Sequence, residues 1–93
     1  MTALALALGE WADSLRPDPA DLDLADRSLR DTVAVALAAS GHPVTLLAAG
    51  LPDGARWAVA AHVLDFDDLH MDSTTHISAL CVPSRAITPA AAR

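Results

Sequence analysis

The chain has no lysine and a single cysteine, Cys81, among its 93 residues. Without lysine it has no Schiff-base chemistry, and only six arginines remain to hold an anionic substrate. One cysteine cannot close an internal disulfide, which fits a reducing cytoplasm and gives no sign of export. Positive charge is scarce altogether: eleven Asp and one Glu stand against six Arg, for a net charge of −6. Nucleic acid and anionic membranes are therefore poor partners on electrostatic grounds. The apolar start at Met1–Leu8 lacks a positive leading region and runs straight into Glu10, so it does not read as a signal peptide. The longest stretch free of Asp, Glu, Arg and Lys, Thr32 to Pro52, is interrupted by Ser40-Gly41-His42-Pro43. It reads as two soluble helical pieces joined by a turn rather than as a membrane span.

No repeat is present, and strand signals are weak, since Val44-Thr45-Leu46-Leu47 is too short to decide. A chain of this length forms one domain at most and buries about 60 to 65% of its unfolded surface. Its hydrophobic fraction of 53% is generous, but 21 of those residues are alanine. Thick packing is expected from Leu4, Leu8, Trp11, Leu15, Leu22, Leu29, Val33, Leu37, Leu46, Leu47, Trp57, Val63, Leu64 and Phe66. Ala-rich helices fit closely against other helices and often need more protein to pack on.

The spacing predicts an all-α chain of about five helices. Leu4, Leu8, Trp11 and Leu15 draw one stripe down a first helix from Thr2 to Leu15, ended by Pro17 and Pro19. Asp18 stands where an N-cap belongs, with Pro19 in the first helical position and Asp21 and Asp23 in the early turns. The second helix carries Leu22, Ala25, Leu29, Val33, Ala36 and Leu37 as its stripe and stops at Gly41. Pro43–Ala49 reads as a short third helix closed by Gly50. A fourth starts near Asp53 and carries Trp57, Ala61 and Leu64, and a last one runs from Ile77 to Ile87, interrupted or bent near Pro83.

Proton-transfer groups concentrate in one place. Ala61–His70 and Thr75–Ala79 bring three aspartates, Asp65, Asp67 and Asp68, and three histidines, His62, His70 and His76, next to an apolar helix. Acidic residues at a helix C-terminus are opposed by the dipole, a local conflict of the kind found at functional sites. Most aspartate clusters are merely solvated turns. Here Asp65 and Asp67 flank Phe66, so an extended turn would point both acids one way and bury the ring on the other side. His62 is three residues before Asp65, within reach of an ion pair on a helix, although a surface histidine is the plainer reading. The polar loop Met71–Thr75 between His70 and His76 is a candidate cover for a ligand. His76 is a natural proton donor or acceptor near neutral pH. Asp65, Asp68, His70 and Asp72 are chemically able to hold a metal, but their spacing matches no compact metal motif, and no metal is expected. Ser14, Ser78 and Cys81 lack a glycine-framed elbow, and Trp11 and Trp57 read as core anchors.

The run Ala61-His62-Val63-Leu64-Asp65-Phe66-Asp67-Asp68, followed by His76-Ile77-Ser78-Ala79, resembles the A-H-A-L-D-F-D-D-T and H-P-S-A signature of the MmgE/PrpD family. That family contains 2-methylcitrate dehydratase and cis-aconitate decarboxylase. Leu8-Gly9-Glu10-Trp11-Ala12 resembles its opening helix, and Leu29–Ala38 resembles its L-x-D-T-x-x-x-A-L-A segment. The chain departs at Leu69, where the family carries threonine, and at Ile77, where it carries proline. The resemblance implies that residues 1–93 form part of the family's N-terminal helical domain, without its α/β lid. It also implies chemistry on small polycarboxylates by proton abstraction, with loss of water or carbon dioxide and with no metal or organic cofactor. Asp65 and His76 are its implied catalytic pair, and Asp68, His62 and Ser78 its substrate-binding neighbours. The family's downstream lysine and histidine are not in this chain, so a partial lyase inactive in isolation is the expectation, working as a homo-oligomer or with a companion polypeptide. The competing expectation is a non-catalytic helical module that self-associates or binds a partner chain.

Overall fold

The structure is a computed structural model that describes residues 2–86; the expected end of the last helix at Ile87 and the tail Thr88–Arg93 lie outside the described residues. It is all-α. In chain order the helices are α1 (Thr2–Ser14), α2 (Pro19–Ala38), α3 (Pro43–Leu47) with a 3-10 turn at Ala48–Gly50, α4 (Asp53–His62) and α5 (Ser78–Ala86). Val44–Leu47 is helical. No strand occurs among the described residues beyond a single antiparallel bridge between His70 and Thr75.

Local chemistry accounts for the boundaries. α1 is built from Leu and Ala, the strongest helix formers, and Arg16 closes it by donating to the carbonyls of Asp13 at 3.0 Å and Leu15 at 2.9 Å. α2 opens with a capping box: the Asp18 carboxylate accepts from Asp21 N–H at 2.9 Å, and Asp18 N–H donates to the Asp21 carboxylate at 3.2 Å. Pro19 follows at a position that needs no donor. His42 caps α3 by accepting from Val44 N–H at 3.1 Å, again with proline next. α2 and the α3 segment meet at a bend of 88°, and no single described helix is long and apolar enough to cross a membrane. α4 ends at His62, earlier than its apolar spacing predicts, so Leu64 sits in the turn beyond it. α5 runs through Pro83 without a break in the helix.

The core differs from the one expected from side-chain size. α2, α4 and α5 pack together, and what they bury is small: Ala36, Ala60, Ala61 and Ala79 form the central cluster, with Thr32 and Ser78 buried beside it. Of the large apolar residues expected inside, only Val63 and Leu64 are half-buried; the other twelve, from Leu4 to Phe66, are exposed. Trp11 and Trp57 do not anchor the core, with 60% and 39% of their surface exposed. The reason is steric. Alanine lets three helix backbones approach closely, and that approach turns the Leu and Trp stripes outward. α1 packs against no other described element, so its stripe meets none of them. Ala60 is buried in the central cluster at 4% exposure, so a longer side chain there presses on the helices packed against it. Ala60→Leu is therefore expected to destabilise the fold by about 1–3 kcal/mol, read from urea denaturation followed by circular dichroism. An unchanged midpoint would contradict the alanine-centred core.

Candidate functional site

The site forms where α4 ends and the chain crosses to α5. His62 is the last residue of α4, and His76 stands two residues before α5. The intervening turn folds inward at Asp65, whose φ of 56° is left-handed, a conformation that aspartate tolerates better than most residues. Asp65 N–H donates to the His62 carbonyl at 2.8 Å, closing the helix end. The Asp67 carboxylate is then carried beneath both imidazoles. His62 Nδ1 lies 3.1 Å from each of its oxygens, and His76 Nδ1 lies 2.8 Å from Oδ2. The two rings meet edge to face, with centroids 4.5 Å apart and planes at 73°. One polar atom from each of His62, Asp65, Asp67 and His76 lies within 4.8 Å of the others.

The Asp67 side chain is shielded, 1% exposed, whereas that of His62 is half open to solvent. Burial alone would push the Asp67 carboxyl up. Hydrogen bonds from His62 and His76, its own backbone N–H and the nearby His62 charge outweigh that and hold it below the ordinary 3.8. An ionised Asp67 orients both rings: each presents Nδ1 to the carboxylate, which leaves Nε2 as the face available to a proton or a ligand. A cavity of about 320 Å³ opens beside the pair, lined by Ala58, Val59, His62, His76, Ala79 and Leu80. A polar tip in an apolar wall is the arrangement expected of a proton-transfer or ligating group.

The expected site residues separate into two groups. Asp65, His76 and His62 come together. Asp68 and Ser78 are held elsewhere. The Asp68 carboxylate accepts Ser78 N–H at 2.9 Å and also the Ser78 hydroxyl, and Ser78 Oγ meets Ser28 Oγ of α2. Asp68 thus caps α5 from outside the helix, where the dipole favours its charge, and ties the turn to α2. The conflict expected of acids at a helix C-terminus is removed in this way: one aspartate serves the next helix, and another is met by two imidazoles. His62 pairs with Asp67 rather than Asp65, because α4 stops at His62 and helical spacing no longer applies beyond it. Phe66 is 73% exposed, not buried, although the acids on either side of it converge as expected. Asp67 is the member that the family-based assignment passed over; its place beside Phe66 in the acidic run was the available signal.

The other histidines lie outside the group. His70 bonds the Ser73 hydroxyl at 2.8 Å within a loop that the His70–Thr75 bridge closes on itself, and His42 is the cap of α3. The metal set Asp65, Asp68, His70 and Asp72 is not assembled; only Asp65 belongs to the four-residue group. Among the described residues no arginine lines the cavity beside His62 and His76. Arg27, Arg30 and Arg56 pair with Asp23, Asp26 and Asp53 on their own helices, and Arg16 holds the end of α1. No family model matches this chain, and no curated protein or solved structure matches it.

Proposed function

We propose that the chain supplies the acid–base corner of a MmgE/PrpD-type lyase that acts on small polycarboxylates, in the cytoplasm, and that it does not turn over substrate alone. The observation that carries this reading is the meeting of Asp65 and His76 with His62 and Asp67 inside 4.8 Å. In a dehydration or decarboxylation at such a site, a base removes a proton next to a substrate carboxylate, or an acid protonates the carbon or oxygen left behind. Asp65 and His76 take those roles. Asp67 is a positioning residue that sets the tautomer of both imidazoles, and Asp68 with Ser78 holds the frame. The acidic pocket opposes a polyanion, so the isolated chain binds it only weakly, and tight binding needs further positive charge from more of the fold or from another polypeptide.

The test is histidine side-chain NMR in chelator-containing buffer, with 2-methylcitrate or cis-aconitate added. The expected result is movement of the His62 and His76 resonances, none at His42 or His70, and no growth of unsaturated-acid absorbance or carbon dioxide. Silence at both His62 and His76 would refute the reading.

A second reading has its own support in the apolar surface left open: Leu4, Leu8 and Trp11 on α1, and Leu22, Leu29 and Leu37 on α2, are all exposed. A surface of this kind favours a helical module that self-associates or binds a partner chain. Sedimentation of the same sample separates the two, since stable dimers that ignore polycarboxylates favour the second.

A further inference from the structure

We propose that the α1 arm of one chain docks along α2 of a second copy, and that two copies exchange arms to form a closed dimer. Area is the first argument. The chain exposes 7151 Å² of surface, against about 5,100 Å² for a compact monomer of its 9.6 kDa mass. Counting Met1 and the residues after Ala86 at the most that extended chain can expose, about 1,200 Å², still leaves an excess of about 1,000 Å². A stable dimer buries about 800 Å² per partner, so the open surface is sufficient for one. α1 contributes much of it: the helix touches no other described element, and Leu4, Leu8 and Trp11 are each more than half exposed. A lone helix of 13 residues is marginal in water, so the arm needs a partner to stay helical.

The connector rules out the arm's own chain as that partner. Only Leu15–Asp18 joins α1 to α2; Pro17 biases Arg16 towards extended backbone, and Asp18 is extended at φ −80°, ψ 172°. This short, stiff link holds α1 off the helix that follows it. A second copy offers what the link denies. On α2, Leu22, Leu29, Val33 and Leu37 are exposed. Beside Val33, a cavity of about 270 Å³ opens between α2, α4 and α5, walled also by Ala36, Trp57, Val82 and Pro83. Ligand pockets run from roughly 300 to 1,000 Å³, so this one falls below their small end and suits one large side chain. Trp11 is the side chain assigned to it, with Leu4, Leu8 and Leu15 laid along α2. The seam tolerates two chains of net charge −6. Glu10 and Asp13 lie about 130° and 170° round the helix from the centre of the Leu4–Leu8–Trp11–Leu15 stripe, away from the contact. Each copy holds both an arm and a groove, so the contact repeats about a two-fold axis and closes.

This inference rests on the second reading and names its partner as another copy of the chain. It leaves the acid–base group of the first reading free, because no residue lining this cavity lines the one beside His62 and His76. The unmodified chain is followed by sedimentation equilibrium up to about 100 μM, since interfaces of this area hold at micromolar concentration or tighter. The expected result is one closed dimer. Trp11→Asp and Leu29→Asp each weaken it by about thirtyfold or more, while Asp13→Ala, on the far side of α1, leaves it unchanged. Trp11 and Leu29 are both exposed within one chain, so neither change touches its own core. Mixing Trp11→Asp with Leu29→Asp restores association, because the mixed dimer keeps one intact arm on one intact groove. A native chain that stays monomeric at the highest concentration, an open series of larger species, a dimer that survives Trp11→Asp, or a mixture no more associated than its components would each overturn the proposal. A monomer would sink the exchange and still leave the second reading with a different partner chain, and the polycarboxylate test of the first reading unaffected.

Discussion

Replacing Asp68 with alanine is expected to lower the unfolding free energy by about 2–4 kcal/mol, the sum of a lost helix cap and a stranded buried hydroxyl. Asp68 meets both the N–H and the hydroxyl of Ser78, and Ser78 is buried at 6% exposure. Removing the carboxylate leaves the first amide of α5 without an acceptor and leaves the Ser78 hydroxyl with only Ser28. For a domain this small, each kcal/mol moves the thermal midpoint by about 4–8 °C, so a fall of roughly 10 °C or more should appear by circular dichroism. Ser78→Ala alone should do less, because the backbone cap survives. The double variant should fall short of the sum of the single effects, since the two share one interaction. An Asp68→Ala protein with an unchanged midpoint would show that the Ser28–Ser78–Asp68 chain does not hold α5. The frame role matters for function too. Asp68 and Ser78 cannot leave these bonds to meet a substrate without loosening the helix that follows His76.

The second large effect lies at Asp67. Its two imidazole hydrogen bonds involve a charged acceptor, each worth about 1.5–3 kcal/mol when shielded, and the His62 contribution is discounted because that ring is half exposed. Asp67→Asn is therefore expected to lower stability by about 2–3 kcal/mol at neutral pH. The pH dependence has a definite sign. The folded carboxyl is held below its ordinary 3.8, so the folded state keeps Asp67 ionised to lower pH than the unfolded chain does. Its contribution is complete above the unfolded value of about 3.9 and is lost as pH falls through the lower folded value. Urea midpoints should drop on acidification below about pH 4, more steeply for the native chain than for Asp67→Asn. Parallel profiles for the two proteins would remove Asp67 as the hub of the cluster.

Much of the architecture was legible without coordinates. Pro19 behind Asp18, Gly41 after the second stripe and the His42-Pro43 start are punctuation whose chemistry acts within one turn of the chain, and the starts of α2 and α3 followed from it. The all-α reading held for the same reason. The packing was not legible, because apolar spacing tells which residues share a face and not which face meets another helix. Alanine and leucine carry the same sign in such a pattern, yet the alanines Ala36, Ala60, Ala61 and Ala79 went inside and the leucines stayed out. Which side wins depends on how closely three backbones approach, and that is a property of the assembled bundle.

At the candidate site the division is sharper. The order of residues placed Asp65, Asp67, His62 and His76 close along the chain and marked the segment as chemically dense. It could not tell that α4 would stop at His62, that Asp65 would turn left-handed, or that Asp67 rather than Asp65 would sit beneath two rings. Nor could it tell that Asp68 would reach ten residues ahead to cap α5 while Asp67 reached back five and ahead nine. Helical caps and stripes are short-range and are written where they act. Pairing across a turn depends on where two helices lock together, and here that was set by the small side chains buried between α2, α4 and α5.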